Sequence, residues 1–127
     1  MACGDLEQFR FCEQHTITFD TGGNQTGGRF DLSQALDLAR FGKAIVSVTV
    51  TARSNNTKLN LRTAPVNNAL YYFAHASVTV DSTFDSARSK QTVITDGSRF
   101  FFIEAEYQGS GSATSVIVTI DIIARVA

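Results

Sequence analysis

The sequence predicts an all-β protein, an antiparallel β-sandwich of jelly-roll type with about eight strands and one short helix. Three observations lead to this prediction. Long segments alternate between apolar and polar residues, turn residues separate these segments about every 8–12 residues, and a helical pattern occurs once. An immunoglobulin-like sandwich is the second choice, weakened because the chain has no tryptophan and therefore lacks the Cys-Trp-Cys pattern of that fold.

Two segments carry the clearest alternation with a period of two. Apolar residues occupy every second position from Ala44 to Ala52, and again from Val116 to Val126. Successive side chains of a strand point to opposite faces of the sheet, so each segment predicts a long strand with one face on the core. Shorter segments of the same kind predict six further strands, at 15–20, 57–63, 70–75, 77–81, 91–95 and 99–107.

The predicted helix lies at residues 31–41. Apolar residues recur there at helical spacing, at Leu32, Ala35, Leu36 and Ala39. Ser33 is the candidate N-cap and a glycine follows the segment, so we expect one or two helical turns that cover a sheet edge or the end of the barrel. Loops are predicted where Gly, Asn, Pro and Asp cluster, above all in the glycine-rich segment 20–28.

The length and charge of the chain limit its organisation and its partners. The chain has 127 residues, enough for one domain with its own core, and we divide it into an N-terminal arm at 1–14 and a β-sandwich domain at 15–127. A net charge of −1 argues against nucleic acid as a partner. No apolar run approaches the ~20 residues that cross a bilayer, and the first residues lack a secretory signal. We therefore expect no membrane partner and synthesis in a reducing cytoplasm.

Candidate chemical groups are few, and each has a simpler structural interpretation. Cys3 and Cys12 match no zinc spacing, and free buried thiols are favoured over a disulfide between them. His15 and His75 lie in predicted strands, without a metal motif, so we expect them to make structural hydrogen bonds.

The paired carboxylates on one strand and the oxygen-rich loop at 20–28 are also interpreted as structural features, not as catalytic or metal-binding sites. Glu104 and Glu106 share one face of a strand, as a glycosidase pair could, but catalytic pairs normally come from different strands. The loop at 20–28 offers oxygen ligands of the kind that calcium prefers, but its residues do not follow the order of a calcium-binding loop motif. We therefore predict no catalytic residue, no metal and no cofactor, and a protein that is not an enzyme.

The aromatic content indicates contacts with partners. The chain has ten Phe and three Tyr, with consecutive triplets at 71–73 and 100–102. Consecutive residues of a strand point to both faces, so one member of each triplet leaves the core. A covering loop, a subunit interface and a sugar-stacking platform each explain this arrangement. The predicted subunit interface consists of Phe9, Phe11, Tyr71, Phe73, Phe100, Phe102, Ile117 and Ile123.

A resemblance to a known family adds to these predictions. The run 28–38, the Val/Thr-rich strand after it, the segment 58–65, the Gly/Ser tip and the last Val/Ile-rich strand resemble small β-sandwich virion proteins of tailed bacteriophages. Such proteins decorate or cement capsids, or sit on tails, usually as trimers or other symmetric oligomers. The resemblance implies a non-enzymatic capsid decoration protein of the virion that assembles through the arm and the aromatic strands. Its expected partners are further copies of itself, with a trimer favoured, and other virion proteins.

Sugar binding stands as the alternative function. In this interpretation the chain is a carbohydrate-binding module or a tail-associated adhesion module. Tyr71, Tyr72 or Phe73 would stack on surface glycans, with calcium in the loop at 20–28 as an open option.

Overall fold

The computed structural model describes residues 6–38, 41–95 and 97–126, and this part of the chain contains nine β-strands. The strands are β1 (Leu6–Phe19), β2 (Gln25–Gly27), β3 (Leu36–Asp37), β4 (Phe41–Arg53), β5 (Thr57–Ala64), β6 (Phe73–Val80), β7 (Ser89–Thr95), β8 (Phe100–Tyr107) and β9 (Thr114–Val126). The described helices are short: two 3₁₀ turns at Leu32–Gln34 and Ala69–Tyr71, and α1 (Phe84–Ala87). Among the described residues, no helix has the length and apolar character needed to cross a bilayer.

Two antiparallel sheets form the sandwich. One sheet has the strand order β2-β1-β9-β4-β7, and the other has the order β3-β8-β5-β6. The pairs β1 with β9, β3 with β8, β4 with β7 and β5 with β6 are nested, as in one long hairpin that has been rolled up. This is the arrangement of a jelly roll, and it confirms the predicted fold class.

The core lies between the sheets and follows the alternation read from the sequence. On β4 the side chains of Ala44, Val46, Val48 and Val50 are buried, and in the matching positions of β9 the buried residues are Val116, Val118, Ile120, Ile122 and Ala124. The four-stranded sheet contributes Leu59, Leu61, Phe101 and Ile103 from β5 and β8. Each Val, Leu, Ile or Phe side chain among them contributes roughly 1.5–3 kcal/mol when it leaves water, so these rows supply most of the driving force for folding.

The helix prediction for residues 31–41 is wrong. Asp31, not Ser33, is the N-cap, and its capping box with Gln34 supports a 3₁₀ turn of three residues. The next residues, Leu36 and Asp37, form β3 by pairing with Phe101 and Phe100 of β8. Pairing with a preformed strand edge therefore outweighs a helical spacing of apolar residues that is only two turns long. Residues 39 and 40 of the predicted helix lie outside the described residues.

The boundary predicted between arm and domain falls inside a strand. Residues 6–14 continue without a break into residues 15–19, and the whole of β1 pairs with β9. The register shifts between Arg10 and Cys12, and again between Cys12 and His15. These bulges interrupt the period of two, so the strand was not recognisable over its first half. Residues 1–5 of the predicted arm lie outside the described residues.

The two strands predicted at 70–75 and 77–81 are one strand, β6, preceded by a 3₁₀ turn. A register shift against β5 between Leu61 and Arg62 leaves His75 without a partner residue, and this bulge explains the apparent interruption. Two short elements, β2 and the four-residue helix α1, had no predicted counterpart.

Candidate interaction surface

Exposed apolar side chains are concentrated in one segment between β5 and β6. Val66, Leu70, Tyr71 and Phe73 are 47%, 87%, 55% and 50% exposed, and we call these four residues the 66–73 surface. The described part of the chain has only one further large apolar side chain this exposed, Val93 on β7. Single exposed apolar residues are ordinary, whereas a group of them marks an interaction site.

Hydrogen bonds hold the 66–73 surface in a defined shape. The Asn68 side chain accepts from the backbone amide of Leu70 at 3.0 Å and caps the 3₁₀ turn. The backbone amide of Tyr71 donates to the Asn68 carbonyl at 3.0 Å, and the amide of Asn68 donates to the Val66 carbonyl at 2.9 Å. Consecutive residues of a 3₁₀ turn point in three directions, so the turn presents Leu70 and Tyr71 to solvent while the next residue turns inward.

Tyr72 anchors this segment to the sandwich. Its ring is 8% exposed and lies 5.7 Å from the ring of Phe102. The Tyr72 hydroxyl donates to the Asn67 side-chain oxygen at 2.9 Å, and the Asn67 amide donates to the Leu32 carbonyl at 3.2 Å. Burial raises the pKa of the Tyr72 hydroxyl, which therefore stays a donor. The segment is fixed at its centre, so its exposed side chains need little ordering when a partner binds.

A histidine connects the start of β6 to the end of β7. His75 Nε2 lies 2.8 Å from the Thr95 carbonyl oxygen, and Nδ1 lies 3.4 Å from the Thr63 hydroxyl. Because a carbonyl only accepts, Nε2 carries a proton. The Phe73 ring lies 5.6 Å from the imidazole. His75 thus makes the structural hydrogen bonds that the sequence predicted, next to the 66–73 surface.

Two residues predicted for the subunit interface belong to the core. Phe11 and Phe102 are each 7% exposed, and their rings lie 6.4 Å apart. The prediction placed Phe11 at an interface because it lies in the expected N-terminal arm, and Phe102 because it belongs to a run of three aromatic residues. In the structure, Phe30 and Tyr72 cover the two rings. Neither side chain offers a free surface to a neighbouring subunit.

The other predicted interface residues are partly buried or exposed. Phe9 and Phe100 are partly buried against the core, and the Arg99 guanidinium lies 5.0 Å above the Phe100 ring. Ile117 and Ile123 lie on the outer face of the five-stranded sheet. Ile123 is in register with Ile45 of β4, which in turn faces Val93 of β7, so three apolar side chains form a row across this face. Tyr71 and Phe73 are the predicted interface residues that the structure places together on an exposed surface.

A groove lies along β8 on the opposite edge of the four-stranded sheet. We call this cavity of about 500 Å³ the β8 groove. The β8 residues from Phe102 to Tyr107 line one side, and the rest of the lining comes from Phe19, Gly23, Asn24, Gln25, Arg29 and Phe30. The volume lies in the range of ordinary ligand sites.

The loop that forms the outer wall is built around Asp20. The Asp20 carboxylate accepts from the backbone amides of Gly22 and Asn24, both at 2.9 Å. These bonds hold the pKa of Asp20 below its ordinary value, and the Asn24 amide contributes most. Gly23 has φ of +86°, and a Cβ there would lie 2.8 Å from the Tyr107 ring. The loop therefore needs glycine at this position to pack against β8.

His15 fixes the far end of the same loop. Its Nε2 lies 2.7 Å from the Gly28 carbonyl oxygen, and its ring stacks on Phe30 with centroids 4.4 Å apart. Phe30 in turn packs edge-on against Phe11 at 4.9 Å. His15 is therefore a structural strand histidine, as predicted, and it positions one wall of the β8 groove.

The carboxylates beside the groove already have partners on the outer face of the sheet. Glu104 lies 3.6 Å from the Arg62 guanidinium, and Glu106 accepts from the Asn60 amide at 3.2 Å. The described residues contain no group of three or more His, Cys, Asp and Glu side chains that could hold a metal ion.

The cysteine that the structure describes is a free thiol. Burial raises the pKa of Cys12 to about 11, which keeps the sulfur protonated. Cys3 lies outside the described residues, so the prediction of a free thiol at that position is not tested.

Comparisons with known proteins add little to this picture. No protein family and no curated protein matches the sequence. Among solved structures, the chain is similar to one from Bacillus endospore appendages, described as a novel family of disulfide-linked pili. The likeness has a TM-score of 0.43 at 9% identity and covers 97% of this chain and 85% of that chain. A likeness of this degree carries no argument about function.

Proposed function

We propose that this chain is a structural protein of a bacteriophage virion, a decoration protein that associates with further copies of itself and with other virion proteins. The observation that supports it is the 66–73 surface, four apolar side chains exposed on a hydrogen-bonded turn. Patches of this kind, rich in aromatic residues and free of charge, are typical of the centres of protein interfaces. The jelly roll is a frequent architecture of capsid proteins, which is an analogy of fold.

Molar mass from light scattering after size-exclusion chromatography, at several protein concentrations, tests self-association. We expect an oligomer whose population rises with concentration, and a variant with Leu70→Ser, Tyr71→Ser and Phe73→Ser that stays monomeric. The matched control is Val93→Ser, which removes an equally exposed apolar side chain on another strand and leaves association unchanged. A wild-type protein that is monomeric at every concentration contradicts self-association.

The location on the virion needs a separate measurement. The phage whose genome encodes this chain is purified by density gradient and its particles are analysed by mass spectrometry. We expect to find the chain at a copy number comparable to that of a major structural protein. Its absence from such particles refutes the virion assignment and leaves the self-association experiment untouched.

Sugar binding remains a second candidate because two aromatic rings of the 66–73 surface are half exposed. Tyr71 and Phe73 could stack on pyranose rings, whereas Tyr72, also considered for this role, is buried. A glycan array probed with the wild-type protein and with Tyr71→Ser tests this candidate. Binding that the substitution removes would favour the sugar-binding module over the decoration protein.

A further inference from the structure

The edge of β8 beside the groove is open over most of its length. β3 pairs with β8 only at Phe100 and Phe101, and no other described strand lies on this side. The backbone amide of Leu38 donates to the Arg99 carbonyl at 3.0 Å, which shows that Arg99 directs its backbone groups toward this edge. The backbone N–H and C=O groups of successive strand residues point to opposite edges of the strand. Those of Ile103 and Ala105, two and three pairs of residues after Arg99, therefore point to the same edge as those of Arg99 and into the groove. These groups are the hydrogen-bonding edge to which another strand could add.

The opposite edge of the same sheet is β6, which pairs with β5 on one side and with no described strand on the other. Natural edge strands usually carry charges, prolines or other features that prevent pairing with another molecule. The eight residues of β6 include no Asp, Glu, Lys, Arg, Gly or Pro. A bulge at His75 interrupts only the start of the strand and leaves Ala76–Val80 regular against β5. An uncharged edge of this kind, next to exposed Tyr71 and Phe73, is typical of a strand that pairs with a partner.

The two edges match in length, and no repulsion between like charges opposes their pairing. Ala76–Val80 and the open stretch Ile103–Tyr107 both have five residues, about 17 Å of strand. The outer face of β8 carries two carboxylates, Glu104 and Glu106, whereas β6 has no acidic residue that would repel them.

We infer that β6 of one copy adds as a strand to β8 of the next copy, in the β8 groove, and so continues the four-stranded sheet from subunit to subunit. This inference rests on the proposed self-association and specifies its geometry. The interface is heterologous because each copy contributes a different edge to its two neighbours. Such an interface closes into a ring, for example a trimer, if the rotation per subunit allows it, and otherwise forms an open chain.

Two variants, one on each wall, block the groove. Asn24→Trp fills the groove from the exposed outer wall. Ala105→Pro removes an N–H that points into the groove and leaves the hydrogen bonds with β5 in place. The first variant guards against the chance that the proline prevents folding, and circular dichroism checks both.

The opposite edge is blocked by Ser77→Glu with Thr79→Glu. The new carboxylates oppose Glu104 and Glu106 of the neighbouring copy, while Lys58, which pairs with Thr79 in the same chain, accommodates one of them. The control is Ser77→Lys with Thr79→Lys, which places opposite charges against the same carboxylates and should preserve association. We expect each blocked variant to weaken self-association by at least about 100-fold.

Mixing a groove-blocked variant with a β6-blocked variant distinguishes a head-to-tail interface from other modes. Each variant alone should be monomeric, but the mixture retains one intact groove and one intact β6, and should form a 1:1 dimer and nothing larger. A mixture that stays monomeric, or blocked variants that associate like the wild type, overturns the inference. In either case, association of the wild-type protein still supports the proposed function. A monomeric wild type contradicts both.

Discussion

Replacing Phe11 by alanine tests whether this side chain belongs to the core or to an interface. Phe11 is 7% exposed, and its ring lies edge-on to Phe30, Phe101 and Phe102 at 4.9, 6.0 and 6.4 Å. Truncating a buried Phe to Ala costs ~3–5 kcal/mol, and an edge-to-face pair accounts for ~0.5–1.5 kcal/mol of such energies. With three pairs lost, we expect a decrease of about 4 kcal/mol in the free energy of unfolding, a large fraction of the ~5–15 kcal/mol typical of a domain.

Phe73→Ala is the matched control because Phe73 is half exposed and has one aromatic neighbour, His75, at 5.6 Å. We expect it to cost less than about 1 kcal/mol. Urea denaturation followed by circular dichroism measures both variants, since the chain has no tryptophan to report by fluorescence. One low protein concentration is used throughout, so that association does not contribute to stability. Equal losses for the two variants, or a loss below about 1.5 kcal/mol for Phe11→Ala, would refute the assignment of Phe11 to the core.

Three further predictions concern the loops and the thiol. Gly28→Ala should lower the free energy of unfolding, measured by urea denaturation, by more than about 3 kcal/mol, because the new Cβ would lie 2.1 Å from a backbone oxygen of β1. Gly111→Ala, which has open space around it, is the control and should lower the free energy of unfolding by about 1 kcal/mol. Because the pKa of Asp20 is lowered, its contribution to stability is complete above pH ~4 and disappears as the pH falls through its folded-state pKa. The melting temperature of Asp20→Asn should therefore fall below that of the wild type at pH 6 and approach it at pH 2, and equal deficits at both pH values would contradict this. In a Cys3→Ser background, Cys12 should react with a thiolate-specific reagent at neutral pH about 100-fold more slowly than an unfolded control, and equal rates would argue against its pKa of about 11.

The regular strands were predictable because a strand with one buried face has apolar residues at every second position of its sequence. β4 and β9 were identified almost to their ends, since Ala44–Ala52 and Val116–Val126 alternate without interruption. The bulges near Cys12 and His75 remove this period locally, and the sequence contains no other signal that could restore it. A bulge depends on the partner strand, and a single sequence does not identify that strand.

The candidate surface was predictable in part. Three consecutive aromatics cannot all face the core, and Tyr71 and Phe73 are indeed exposed while Tyr72 is buried. The same reasoning failed at Phe102, because Tyr72 returns from a distant loop to cover it. Asn68, three residues before Tyr71, is a capping signal that could have placed the 3₁₀ turn. The β8 groove depends on how the loop at 20–30 meets β8, which is a tertiary contact with no local pattern.

The position of β9 has a consequence for synthesis on the ribosome. β9 lies between β1 and β4 in the sheet, although it follows both by many residues in the sequence. An ion pair between Arg10 and Asp121 links β1 to β9. Until β9 has left the exit tunnel, β1 and β4 lack their shared neighbour and expose two long apolar faces with open edges. Contacts between such distant residues form slowly, so the nascent chain must persist in an aggregation-prone state. Chaperone binding to emerging chains should therefore persist until β9 is released, and should cease once the sheet closes around it.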